Sequence, residues 1–153
     1  MVLTPKEILL IANLRKNCRQ SLKTISKATK IPISTIYDKL RVYEKGVIKR
    51  YTSIINYQKL GYNIRAQVLL KVKNEKRQEF QDFIMKQMSV NNVYKVNNGY
   101  DFMVDFIFKE FTESEKFLEE IDDRFIIERK HVSYVINELK TEGFMDNPER
   151  YFN

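Results

Sequence analysis

The 153-residue sequence predicts an α+β chain: an N-terminal helix-turn-helix domain of winged-helix type, joined by a strand linker to a C-terminal ferredoxin-like βαββαβ domain. Three observations predict it. Three short helical periodicities fill the first 45 residues, with only Thr29 to Pro32 between the second and third. From Ile64 onward the apolar period changes to 2 and then alternates strand and helix in the order β-α-β-β-α-β. Charge divides at the same place: residues 1–60 carry 13 Lys and Arg against Glu7, Asp38 and Glu44, a net +10, while the remainder nets −3 of the overall +7. A compact basic segment beside a mildly acidic one suggests a polyanion as partner of the first.

Leu3-Thr4-Pro5-Lys6-Glu7-Ile8 is a complete helix start, with Thr4 as N-cap, Pro5 at the first helical position, Glu7 closing a capping box and Leu3 set to staple against Ile8. This helix is expected to reach about Lys16 with Ile8, Ile11 and Ala12 inward. Ser21 caps a second helix, in which Leu22, Ile25 and Ala28 recur at helical spacing up to Thr29. The third helix is expected over about Pro32 to Lys45, because proline is tolerated in the first turn and not inside. Ile33, Ile36, Leu40 and Tyr43 should line its buried side, and Gly46 should end it as a C-cap. With Ile36 and Leu40 inward at about 100° per residue, Ser34, Asp38, Arg41 and Lys45 turn outward, flanked by Thr35, Tyr37 and Val42. Short polar groups and a guanidinium suit base edges and phosphates. The candidate contact set is Ser34, Thr35, Tyr37, Asp38, Lys39, Arg41 and Lys45 on the helix, with Lys49 and Arg50 just beyond it. A merely solvated helix surface would share that polar pattern, and Asp38 opposes a polyanion.

Val47 to Ile55 is β-rich and is expected to leave as an extended strand, with residues 56–62 as a connection. Ile64, Ala66, Val68, Leu70 and Val72 then alternate with polar residues in a half-buried strand. Phe80, Phe83, Ile84, Gln87 and Met88 fall at helical spacing, and Val93 to Asn97 reads as a short strand. Asn98-Gly99 is the dipeptide favoured by a two-residue type I′ hairpin, after which Phe102, Val104, Phe106 and Phe108 alternate. Thr112-Glu113-Ser114-Glu115 reads as a second capping box, opening a helix with Phe117, Leu118, Ile121 and Phe125 inward. A last strand through Val132, Tyr134 and Ile136 should end near Lys140. Two helices cover one face of such a sheet, and Gln67, Leu69, Met103, Ile107 and Val135 on the other are too apolar for water, so a dimer through the sheets is expected. The tail from Thr141 to Asn153, with Phe144, Tyr151 and Phe152, either docks or stays loose.

No apolar run approaches the roughly 18 residues of a membrane span, and the N-terminus lacks a secretory signal, so a cytoplasmic chain is expected, with no membrane partner. Cys18 has no cysteine to pair with, and with His131 alone it cannot assemble a zinc site; it is expected as a buried or half-buried hydrophobe. Four glycines form no phosphate loop. No metal, no cofactor and no catalytic residue is expected.

These residues together resemble the Lrp/AsnC, or feast/famine, family of prokaryotic transcription regulators from Leu3 to about Lys140. The likeness rests on Arg19-x-Ser21-Leu22, Ile31-x-x-Ser34-Thr35-Ile36, Leu40, Gly46-Val47-Ile48-Lys49-x-Tyr51-Thr52, Leu60-Gly61-Tyr62 and Val93-x-x-Val96-x-x-Gly99-Tyr100-Asp101. In the last run Asn98 and Gly99 stand where the family has Gly and Asp. The resemblance implies a helix-turn-helix domain over 1–50 that binds double-stranded DNA and an extended linker over 51–62. It further implies a ligand-sensing and dimerisation domain over 63–140 and a tail over 141–153. A homodimer that assembles further, to an octamer for example, and an amino-acid or other small-molecule effector are also implied. The effector positions map to Gly99, Tyr100 and Asp101, residues that turn geometry, packing and strand-edge salt bridging also explain.

Two other classes share the architecture. Tetrapyrrole (sirohaem) decarboxylases resemble it and would lean on His131, whereas a winged-helix interaction module would turn the basic segment to an acidic protein. The regulator reading is preferred to the enzyme, which would leave the +10 segment without a purpose.

Overall fold

A reciprocal cap starts the chain. In the computed structural model, which describes residues 3–147, Thr4 Oγ1 accepts from the Glu7 amide at 3.4 Å and Glu7 Oε2 accepts from the Thr4 amide at 2.8 Å. Helix α1 follows over Pro5–Lys16. Ser21 Oγ accepts from the Thr24 amide at 3.1 Å to start α2 (Leu22–Thr29), which ends on Lys30 in the left-handed region. Pro32 precedes α3 (Ile33–Tyr43), and its carbonyl accepts the first helical bond from Ile36 N at 3.0 Å. Leu10, Ile25, Ile31, Ile36 and Tyr43 form the core of these helices. They belong to one compact unit, the residues up to Ile54 together with the segment from Leu139.

Sequence expectations need correction here at several points. Leu10 rather than Ile8 centres the buried side of α1, since every residue from Ile8 to Ala12 is apolar and the phase of the stripe is undetermined until neighbours select it. Ile33 is 47% exposed instead of inward. Helix α3 stops at Tyr43, and Gly46 is not its left-handed cap: the Tyr43 carbonyl accepts from the amides of Gly46, Val47 and Ile48 at 3.1, 2.7 and 2.8 Å. Val47 to Ile55 forms no strand, because among the described residues no sheet edge pairs with it, and β-propensity without a partner makes no ladder. Cys18 is exposed in the turn after α1, not buried. The tail docks on this unit: Arg15 donates from Nε to the Phe144 carbonyl at 2.9 Å and from Nη2 to the Glu142 carbonyl at 2.7 Å. Tyr151 and Phe152 lie outside the described residues.

The second unit, Ile55–Glu138, contains β1 (Ile64–Val72), α4 (Arg77–Ile84), β2 (Val90–Lys95), β3 (Phe102–Phe108), α5 (Phe111–Arg124) and β4 (Ile127–Tyr134). All pairings are antiparallel, in the order β2-β3-β1-β4. Ala66, Val68, Leu70 and Val72 of β1 meet Phe102, Val104, Phe106 and Phe108 of β3 and, from the helices, Phe80, Ile84, Leu118 and Ile121. Phe80 packs edge-on to Phe125, ring centroids 5.2 Å apart, and Phe106 likewise to Phe117 at 5.4 Å.

Five expectations shift in this unit as well. Helix α4 ends at Ile84, leaving Met88 fully exposed rather than inward. Strand β2 begins at Val90 and ends at Lys95, and β4 ends at Tyr134 with Ile136 exposed. The capping box at Thr112 does not form; α5 starts two residues earlier, at Phe111 with Glu110 in the N-cap position, and Glu113 Oε2 instead accepts from the Lys109 amide at 3.0 Å. Burial in β3 also breaks its alternation, since Asp105, on the face away from the helices, is only 3% exposed.

Asp105 is held by Arg65 of β1, Nε to Oδ1 at 2.8 Å and Nη2 to Oδ2 at 2.9 Å, and by the amides of Asn91 and Asn92 at 2.9 and 3.2 Å. The two asparagines are consecutive, and they share a face because β2 bulges between Val90 and Asn92. Arg65 Nη1 is also paired with Glu138. Burial pushes the Asp105 carboxyl up, but Arg65 and the two amides outweigh it and hold the group below its usual range.

Asp105→Ala should therefore lower stability in urea unfolding by about 2–3 kcal/mol, less than the ~3–5 kcal/mol for breaking a wholly buried pair, because Arg65 keeps Glu138 and some water. A depressed carboxyl pKa stabilises above its unfolded value and ceases to as pH falls through the folded one, so the gap between wild type and variant should close in acid. A second acid-sensitive group is Glu7, whose carboxyl is held down from 4.5 to about 2, first by Lys39 and then by Thr4. Its contribution is complete above pH 4.5 and disappears between there and about 2, so thermal melts of Glu7→Gln should lack that part of the acid slope.

Candidate nucleic-acid interface and hairpin site

Two residues one turn apart on α3 face α1. Lys39 Nζ lies 2.7 Å from Glu7 Oε1, and the Tyr43 hydroxyl donates to the same oxygen at 3.1 Å. Burial, then the Glu7 carboxylate, pushes the Tyr43 phenol up to about 12, so it remains a donor at any physiological pH. With that side fixed, Ser34, Tyr37, Asp38 and Arg41 form an exposed stripe along the other side of α3, Thr35 beside them is half-buried, and Lys45, expected on the helix, is exposed in the turn that follows it. Lys49 and Arg50 follow on the unpaired segment, also exposed. Among the described residues none of Arg41, Lys45, Lys49 or Arg50 has an ion-pair partner; Lys39, by contrast, is engaged by Glu7. Lys23 and Lys27 on α2 are likewise exposed and unpaired and were not singled out from sequence, although the local charge excess was the signal for them.

The hairpin between β2 and β3 gathers the other three candidates. Asn98 and Gly99 have φ of 64° and 88°, the left-handed pair that a type I′ turn demands. A Cβ on Gly99 would sit 3.2 Å from Arg129 Nη1, so both backbone and space favour glycine. The Arg129 guanidinium lies over the Tyr100 ring, 5.8 Å from its centroid. Asp101 is fully engaged within the chain: Oδ1 meets Lys71 Nζ at 3.2 Å and Arg77 Nη2 at 3.1 Å, while Oδ2 accepts from the Val72 amide at 3.0 Å. It ties the hairpin to the end of β1, which is a structural task. His131 stands exposed on the uncovered sheet face opposite Leu69, with no ionisable partner among the described residues. Among those residues no three of His, Cys, Asp and Glu converge as metal ligands, and no helix is long and apolar enough to cross a membrane.

Comparison with known proteins agrees with this architecture. Residues 65–144 match the family described as Lrp/AsnC ligand binding domain. The HTH-type transcriptional regulator FL11 of Pyrococcus furiosus is 34% identical over 128 residues, covering 83% of this chain and 85% of that protein. FL11 of Pyrococcus abyssi is 33% identical over 132 residues, 86% of this chain and 87% of that one. Among solved structures, B. subtilis LrpC superposes with a TM-score of 0.83 at 21% identity, covering 92% of this chain and 99% of that chain. A Neisseria meningitidis transcriptional regulator solved with L-Met gives 0.83 at 16% identity, over 92% of this chain and 94% of that one. At such identities the solved structures establish a shared fold. The relatives matched in sequence are transcriptional regulators rather than enzymes, and the decarboxylase alternative falls with that. The chain belongs to the Lrp/AsnC family of transcriptional regulators.

Proposed function

We propose that the three helices act as a helix-turn-helix in which α3 enters the major groove of duplex DNA, and that the chain regulates transcription as a homodimer responsive to a small molecule. The observation that carries the DNA reading is the exposed stripe of α3 with the basic segment that follows it: Arg41 on the side of α3 away from Glu7, and Lys45, Lys49 and Arg50 beyond the helix, are exposed and have no ion-pair partner among the described residues. Arg41, with Ser34 and Tyr37 beside it, is suited to base edges, whereas Lys45, Lys49 and Arg50 are suited to phosphates. Thr35 lies at the margin of that surface, Asp38 is suited to accept from cytosine, and Lys39 acts chiefly by holding α3 to α1. In this reading DNA contact is assigned to residues 1–50 and assembly and sensing to 63–140. Half-buried Leu69, Met103, Ile107 and Val135 on the uncovered sheet face support pairing of two copies there. Small-molecule sensing at the Gly99, Tyr100 and Asp101 hairpin is supported by family membership and by the Neisseria relative's complex with L-Met.

Phosphate contacts from Lys45, Lys49 and Arg50 of both protomers, six in a dimer, would give a log–log salt dependence of about −4 or steeper for duplex binding. An affinity indifferent to salt overturns the reading. Arg41→Ala should cost roughly 1–3 kcal/mol on the preferred site and relax one base preference, while Lys49→Ala should weaken all duplexes alike. Identical effects of the two substitutions on specific and random duplexes would remove Arg41 from the reading surface. Two-fold pairing further requires inverted half-sites about 10 base pairs apart, so inserting about 5 should reduce binding to the non-specific level.

A further inference from the structure

Next to the hairpin, α4 and the end of β2 enclose a cleft of about 230 Å³ lined by Arg77, Gln78, Gln81, Lys95, Val96, Asp101 and Phe102. Its chemistry is asymmetric. Asp101, the one carboxylate in the lining, is already paired with two cations, Lys71 and Arg77, and accepts from the Val72 amide, so its charge is more than balanced and it draws an incoming ammonium group weakly. Arg77 is fixed through Nε on the Val72 carbonyl at 3.1 Å and Nη2 on Asp101, which leaves Nη1 without a partner among the described residues. Lys95, at the end of β2, has no partner among the described residues, nor does the half-buried amide of Gln81. Gln78 donates to Asp82 at 3.0 Å. The lining also has an apolar part, with Phe102 almost wholly buried and Val96 half-buried.

We infer that this cleft binds a short dicarboxylate, with one carboxylate on the free edge of Arg77, the other on Lys95, and the methylene spacer over Val96 and Phe102. Three cations, Lys71, Arg77 and Lys95, surround a single carboxylate, so the local charge is +2 before a ligand enters and is neutralised by a dianion. Charge-assisted bonds to a pre-fixed guanidinium cost little further ordering. The volume lies below the roughly 300–1,000 Å³ of pockets for drug-sized ligands, which suits a molecule of few heavy atoms. Cations carried by two different elements, α4 and β2, in one lining with Val96 and Phe102 favour two charged ends joined by hydrocarbon over a compact inorganic anion. The inference rests on the reading that the second unit senses a small molecule, and it reverses the ligand polarity that a free Asp101 would impose.

Titration calorimetry on the full chain with glutarate, L-methionine, L-lysine and inorganic phosphate tests it. Glutarate should bind and the other three should bind at least about tenfold more weakly. Lys95→Gln, at an exposed position, should weaken glutarate about ten- to hundredfold, while Lys116→Gln on α5, exposed and outside the cleft, should leave it unchanged. Glutarate binding that ignores Lys95→Gln overturns the site, as does phosphate binding as tightly as glutarate. Methionine or lysine binding without glutarate overturns the dicarboxylate assignment and leaves small-molecule sensing standing. Failure of all four overturns both, and duplex retardation by the same preparation reports on the DNA reading independently.

Discussion

Glu7 is the group on which the three-helix unit turns. One carboxylate accepts from the Thr4 amide and hydroxyl at 2.8 and 2.6 Å, which starts α1, and from Lys39 and Tyr43 at 2.7 and 3.1 Å, which fastens α3 to it. Because Lys39 and Tyr43 are spaced i, i+4, they project from the same side of α3, and anchoring both fixes the rotation of the helix about its own axis. The surface carrying Tyr37, Arg41 and Lys45 is thereby directed outward by a contact that none of those residues makes. The same carboxylate also withdraws Lys39 from the free basic groups, so of the two cations on α3, Lys39 and Arg41, only Arg41 is left for a partner.

In the second unit the governing constraint is that two helices cover one face of a four-stranded sheet and leave the other to be managed differently. This chain manages it in part with a buried ion pair. Arg65, Asp105, Asn91 and Asn92 come from β1, β3 and β2, so their bonds close only when the three strands are in one register; a slip of one residue would send Asp105 into the phenylalanine core. The desolvation cost of the carboxylate is offset by four donor contacts, and the network ends at Glu138, the last residue of the unit. Around it Leu69, Met103, Ile107 and Val135 remain half-buried, apolar neighbours of a polar centre.

The hairpin beside that sheet joins local and long-range demands. Asn98-Gly99 supplies the left-handed turn, and the residue two positions on, Asp101, stitches it to β1 through Lys71 and the Val72 amide and to α4 through Arg77. A carboxylate committed in this way leaves the cationic groups around it in excess. The electrostatics of the cleft thus follow from a structural bond rather than from a simple count of charges.

How far the sequence reached follows from the range of each interaction. The capping box at Thr4, the Ser21 cap, the period-2 run of β1, the Asn98-Gly99 turn and the basic character of the first 60 residues rest on neighbours within a few positions, so they were legible directly. The end of α3, the phase of α1 and the unpaired Val47 to Ile55 segment were not, because each depends on what the rest of the chain offers: a Tyr43 carbonyl shared by three amides, a core that selects Leu10, an absent strand edge. The same holds at the candidate sites. Sequence alone determined which residues of α3 would share a face and that Gly99 must be permissive, since helical phase and turn geometry are local. Only the tertiary structure decided that Lys39 belongs to Glu7, Asp101 to Lys71 and Arg77, and Asp105 to Arg65, because a charge's partner 30 or 40 residues away is set by packing and strand register, which no local pattern encodes.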